Sequence, residues 1–121
     1  MSVTVIRPED RTAGDPTAGM IREEAVATEG MWAGLVHTEP NMASGWHHHG
    51  DHESVIHVLE GTLVMEFGPG GETRLEANGG DFVHVPKGAI HRESNPHETE
   101  GVAIVVRAGS GPPVVNVDGP A

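Results

Sequence analysis

At 121 residues with a formal net charge of −11, the chain suits one domain, and it would be repelled by nucleic-acid phosphates and anionic membrane surfaces. It has no cysteine, which excludes disulfides, thiolate metal sites and a cysteine nucleophile. It has no tyrosine either, so tyrosine acid/base or radical chemistry is excluded. The first residues, Met1 to Pro8, lack the long apolar core of a signal peptide, and no apolar run is long enough to span a bilayer. These features predict a cytoplasmic protein that binds neither nucleic acid nor membrane. The 17 glycines and 9 prolines are dispersed between short apolar runs, the signature of an all-β chain rather than of disorder.

In chain order, a short β-like run from Val3 to Ile6 precedes a polar stretch that reads as an N-terminal arm over residues 1–19. Met20 to Thr28 mixes helix-favouring residues (Glu23, Glu24, Ala25) with strand neighbours, and is assigned as strand. Met31 to Thr38 is a strand stopped by Glu39-Pro40-Asn41; Ala33, Leu35 and His37 share one of its faces. Ser54 to Glu60 and Thr62 to Phe67 form a hairpin around Gly61, and Gly68 to Gly71 makes the next turn. Thr73 to Ala77, Asp81 to Val85, Ala89 to Ser94 and Val102 to Val106 complete the predicted strands. Residues 108–121 read as a tail able to add one edge strand. Nine or ten short strands with almost no helix predict a single domain over residues 1–121, a small antiparallel barrel or double-sheet jelly roll whose closure removes exposed edges.

Between the second and third of these strand regions lies Gly45-Trp46-His47-His48-His49-Gly50-Asp51-His52-Glu53. In an extended strand His47 and His49 point the same way, and two imidazoles on one face with carboxylates nearby suit a divalent metal. Without thiolates, such a metal would be Fe, Mn, Ni, Cu, Co or Zn, held by imidazole and carboxylate. A solvated histidine-rich loop is the plain alternative.

Two patterns resemble the cupin family of small β-barrels. Its second motif, G-x5-P-x-G-x2-H-x3-N, is met at Gly80, Pro86, Gly88, His91 and Asn95. Its first, G-x5-H-x-H-x3-4-E-x6-G, is met at His47, His49 and Glu53, but Gly45 lies two residues before His47 rather than six. Seven residues, not six, separate Glu53 from Gly61. Counted forward from the histidines, Glu53 is the carboxylate ligand and a β-bulge absorbs the extra residue. Counted back from Gly61, Ser54 takes that place and no carboxylate ligand exists. A one-residue slip exchanges faces, so only one of the two points inward. Glu53 is preferred.

The resemblance covers residues 31–107 and implies an all-β, cupin-type antiparallel β-barrel (double-stranded β-helix) with His47, His49, Glu53 and His91 around one divalent metal ion per chain. It also implies a homodimer and a small-molecule substrate. His48 is expected outside and His52 solvated. His57, which shares a face with Glu53 and Val55, is either a pocket residue or an outward one; His84 is unassigned, and His97 is expected in an exposed loop. Leu35, Met42, Ile56, Val58, Met65 and Phe82 form the set expected to line the barrel. The implied function is metal-dependent, dioxygenase-like oxidoreductase chemistry on a small organic molecule, with Glu53 or His57 as the proton-transfer group. The alternatives are a non-redox isomerase, lyase or cyclase, and a non-catalytic binding barrel.

Overall fold

A computed structural model of the chain describes residues 1–15, 17–112 and 114–120. Twelve strands occur among them: β1 (Thr12–Ala13), β2 (Met20–Ala27), β3 (Met31–Thr38), β4 (Met42–Ala43), β5 (His47–His48), β6 (Glu53–Glu60), β7 (Thr62–Phe67), β8 (Thr73–Asn78), β9 (Phe82–Val85), β10 (His91–Asn95), β11 (Gly101–Ala108) and β12 (Val115–Asn116). They form two antiparallel sheets. One has the order β1-β2-β3-β11-β6-β9; the other runs β12-β5-β10-β7-β8, with β4 also pairing to β10. This is the double-sheet jelly roll that short, punctuated strands favour.

Met20 to Ala27 is indeed strand, its glutamates outweighed by pairing with β3. Val3 to Ile6 is not a strand. Those residues are exposed and join no sheet, so the β propensity of the valines finds no ladder.

Period-two alternation sets the core. Met20, Val36, Met42, Ile56, Val58, Leu63, Met65, Ala77, Val85, Ala103 and Val105 make one buried cluster between the sheets. Of the six residues expected to line the barrel, Met42, Ile56, Val58 and Met65 do so. Leu35 and Phe82 do not. Leu35 alternates with the buried Val36, and Phe82 lies opposite His57 on the outer face, 72 % exposed.

β6 carries the predicted bulge. Val102 pairs with Glu60 and Ala103 with Val58, so Leu59 is the extra residue, next to Gly61. Upstream of it β6 is regular. Gly61 has φ +79°, and a Cβ there would stand 3.1 Å from Gly101 Cα, so this turn needs glycine.

Candidate metal centre

Three imidazoles and a carboxylate meet between the sheets. His47 stands on β5 and His49 just beyond it, while His91 opens β10 and pairs in register with His47. The ring centroids of His47 and His91 are 4.5 Å apart, and His49 lies 5.1 Å from each. Glu93 follows His91 by two residues on the same strand, so alternation delivers both to one face. Ligand atoms of His47, His49, His91 and Glu93 lie within 4.8 Å of one another, and all four residues are buried.

The hydrogen bonds fix which ring atoms face inward. His47 Nδ1 donates to Gly45 O at 2.9 Å and His91 Nδ1 to Ala89 O at 2.8 Å, so in the neutral rings each Nε2 carries a lone pair. His47 Nε2, His91 Nε2 and Glu93 Oε2 are buried with no hydrogen-bond partner. His91 Nε2 lies 3.4 Å from Glu93 Oε1, an ion-pair distance without hydrogen-bond alignment. Leaving buried polar atoms unpaired costs about 1–3 kcal/mol each. Three such atoms converging from two neighbouring strands fit a divalent ion, which would accept all of their lone pairs.

Electrostatics suit that role at His47 and at Glu93. Burial pulls the His47 pKa down, keeping the ring neutral as a metal ligand must be. For His91, burial acts downward too, but the adjacent Glu93 and the Ala89 carbonyl outweigh it and raise the pKa. Burial alone would raise the Glu93 pKa; His91, His47 and His49 override it and hold the carboxyl at about 2. Glu93 is therefore anionic throughout the neutral range.

Neighbouring segments hold these groups still. Ser44 N donates to Glu93 O at 2.8 Å, and Glu93 N donates to Ser44 Oγ at 3.0 Å, clamping the Glu93 backbone. Gly88, at φ +69°, donates its N–H to Gly50 O at 3.0 Å and so ties the Pro86-Lys87-Gly88 turn to the histidine loop. Asn95, fully buried, donates through Nδ2 to Thr99 O at 2.8 Å and accepts from His97 N at 3.1 Å, which closes the loop after β10.

The structure corrects the expected carboxylate. Glu53 is exposed on the outer face, its Oε1 2.7 Å from His84 Nε2. Ser54, 2 % exposed, points inward instead. The regular alternation of Ser54, Ile56 and Val58 on the buried face forces this, because the bulge lies downstream of Glu53 and cannot turn it inward. The carboxylate beside the imidazoles is Glu93. His91-x-Glu93 has the same two-residue spacing as His47-x-His49, and that spacing was its available signal.

His57 shares the outer face with Glu53, and its ring stacks on Phe82 at 4.3 Å, away from the cluster. His52 is buried rather than solvated, with Nδ1 donating to His49 O at 3.0 Å, which makes it a support for the loop. His48 is half-buried, with its Nδ1 accepting from Gly50 N, and His97 is exposed.

Two arginines went unremarked in the sequence. Arg22 and Arg107 alternate with Met20 and Val105 on the inward faces of β2 and β11, and they are 6 % and 5 % exposed. Burial draws both pKa values down, and Glu93 opposes this.

The model of the cupin domain family matches residues 34–107. The Bacillus subtilis (strain 168) protein YdbB is 43 % identical over 47 residues, 39 % of this chain and 40 % of that protein. The match thus spans well under half the length of that relative. Among solved structures, the polyketide cyclase RemF from Streptomyces resistomycificus is similar, with a TM-score of 0.78 and 21 % identity over 96 % of this chain and 86 % of its own. KdgF from Halomonas sp. gives 0.73 and 18 % over 88 % and 94 %. A recombinant oxalate oxidase in complex with glycolate gives 0.67 and 21 % over 87 % and 59 %. At these identities the structural likeness shows the fold alone.

Proposed function

The chain belongs to the cupin family, and on that premise we propose that it is a metal-dependent enzyme acting on a small organic molecule, with dioxygenase-like oxidoreductase chemistry. The observation that carries this reading is the convergence of His47, His49, His91 and Glu93, in which His47 Nε2, His91 Nε2 and Glu93 Oε2 are buried without a hydrogen-bond partner. These four residues would hold one divalent ion per chain, from among Fe, Mn, Ni, Cu, Co or Zn. Such an ion supplies a Lewis acid and, if redox-active, an electron-transfer centre.

The chain's own residues set the conditions. The Nδ1–H groups of His47 and His91 are committed to backbone carbonyls, so both rings stay oriented. Glu93, held at about 2, serves as an anionic ligand rather than a general acid. Ile56, Val58 and Val105 beside the cluster exclude water. Glu53 and His57, being on the outer face, take no part in proton transfer.

Enzymes of both kinds stand among the structural neighbours. The oxalate oxidase accords with the oxidative reading, and the polyketide cyclase with a non-redox one in which the ion acts only as a Lewis acid. We further propose a cytoplasmic homodimer. Support comes from Val55, Leu59, Ile104 and Val106, apolar and exposed on the sheet that contains β6 and β11. No helix among the described residues is long and apolar enough to cross a membrane.

The test is elemental analysis of untagged protein purified without added metal, followed by oxygen-uptake assays on small organic acids, alcohols and ketones. The expected result is about one ion per chain and oxygen consumption dependent on it. Tightly held zinc without oxygen uptake would favour the Lewis-acid reading. Less than about a tenth of an ion per chain, with none taken up on incubation, would overturn both.

A further inference from the structure

Charge inside the barrel is unbalanced. Two guanidiniums, Arg22 and Arg107, are more than nine-tenths buried, and Glu93 is the sole buried carboxylate among the described residues. Any divalent ion between the histidines would add to the positive excess. Glu93 acts on both guanidiniums and the exposed Asp15 on Arg22, so the buried positive charge is only partly compensated, and a ligand that brings a further anion relieves the cost.

Neither guanidinium is fully used. Arg22 Nη1 donates to Asp15 O at 3.1 Å and Thr17 Oγ1 at 2.6 Å, but its Nε is buried without a partner. Arg107 Nε donates to Ser54 Oγ at 3.3 Å, so a neutral hydroxyl stands where a carboxylate would have paired with it. The two side chains also stand at a junction. With His49 and Glu93 they line an inner cavity of about 20 Å³, room for about one water molecule. With Asp15, Glu24 and Trp32 they line a larger outer pocket of about 130 Å³. Arg107 Cζ lies 5.5 Å from the centre of the Trp32 ring, which fixes the plane of its guanidinium.

We propose that Arg22 and Arg107 form a carboxylate-binding subsite, holding the acid group of a small organic acid in the outer pocket, next to the inner cavity that His49 and Glu93 line. Planar guanidinium donors match a planar carboxylate in two-point contact. The subsite rests on the reading of the barrel interior as the place where a small organic molecule binds, and it names the class of that molecule.

The test uses the full chain stripped of metal by a chelator, so that it does not depend on the ion. Fluorescence of Trp32, isolated by Trp46→Phe, is followed while propionate, propionamide or inorganic phosphate is added at neutral pH. Propionate should saturate the signal at a concentration roughly tenfold or more below propionamide, because only the acid pairs with the guanidiniums. Arg22→Gln and Arg107→Gln should each weaken propionate by roughly tenfold, and Arg107→Lys should recover part of the loss. Equal binding of acid and amide by the unmutated chain would overturn the subsite, as would saturation by phosphate but not propionate. Folded Gln variants with unchanged affinity would overturn it too. If a Gln variant does not fold, the acid-to-amide ratio of the unmutated chain decides alone. Metal uptake without propionate binding would sink this inference and spare the metal reading. Propionate binding without metal uptake would do the reverse.

Discussion

Histidines line both faces of this barrel, and the two faces use them in opposite ways. On the inner face, His47 and His91 spend Nδ1 on backbone carbonyls and leave Nε2 buried and unpaired. On the outer face, His84 Nε2 meets Glu53 at 2.7 Å, and His37 is gripped through both ring nitrogens by Glu23 and Glu100. The outer pairs are complete in themselves and screened by solvent. The inner group is incomplete until something accepts its lone pairs. Clustering alone therefore does not mark a candidate metal ligand, and neither does one unmet nitrogen, since His57 Nδ1 on the outer face has no hydrogen-bond partner either; several unmet atoms converging on one point do.

The largest expected contrast is in metal retention. His91→Ala removes one of the four proposed ligands and should lower metal affinity by at least the 10- to 100-fold that loss of a supporting contact costs, read as metal per chain after dialysis. Glu93→Gln, equal in size, should do likewise. His84→Ala and Glu53→Gln on the outer face should leave metal content unchanged. Loss of metal in the outer variants would erase the distinction between the faces.

Stability should follow the same division. An ion bound only by the folded chain raises its unfolding free energy by about 2.7 kcal/mol at a hundred times its dissociation constant. A chelator should therefore lower the melting temperature of the unmutated chain and of His84→Ala, but leave His91→Ala where it is. A fall of equal size in His91→Ala would mean that the chelator acts elsewhere.

A third contrast is structural. Asn95→Ala strips the Nδ2 donor from Thr99 O and the Oδ1 acceptor from His97 N and empties a fully buried position, and should cost about 2 kcal/mol by denaturant unfolding. Phe82→Ala, losing a 72 % exposed ring whose main contact is His57, should cost less than about 1 kcal/mol. Comparable losses would show that the Phe82–His57 stack carries weight its exposure does not suggest.

How much of this could be read in advance depended on the type of constraint. The strands from Met31 onward and their turns follow from local rules, alternation and glycine turns, whereas the grouping of His91 with His47 and His49 came through the resemblance to the cupin motifs. Which of Glu53 and Ser54 faces inward follows from neither, because it depends on where the bulge sits. The bulge at Leu59 is set by pairing with Val102 and Ala103 on a strand more than forty residues away. Glu93 was within reach, since it alternates with His91 as His49 does with His47. Its distance in sequence hides it, because more than forty residues separate it from His49 whereas Asp51 and Glu53 lie inside the histidine run. Arg22 and Arg107 also obey the alternation, but arginine is read as a surface residue unless its partners are known, and those lie on other strands.

The smallest expected effect belongs to the outer face and is a matter of pH. The hydrogen bond with Glu23, and then that with Glu100, raises the His37 pKa above its ordinary 6.5. The same bond to His37 lowers the Glu23 pKa below its ordinary 4.5. A raised histidine adds stability that is fully present below 6.5 and fades as pH rises through the folded value. A lowered glutamate adds stability that is present above 4.5 and fades as pH falls through its folded value. Both conditions hold together between 4.5 and 6.5, where the ion pair is complete. The difference in melting temperature between the unmutated chain and His37→Gln should peak in that window and shrink on either side. Added salt should reduce it, because both side chains are partly exposed. A difference that stays flat with pH would make His37 a neutral hydrogen-bonding strut, and the outer face would then owe nothing to charge at this site.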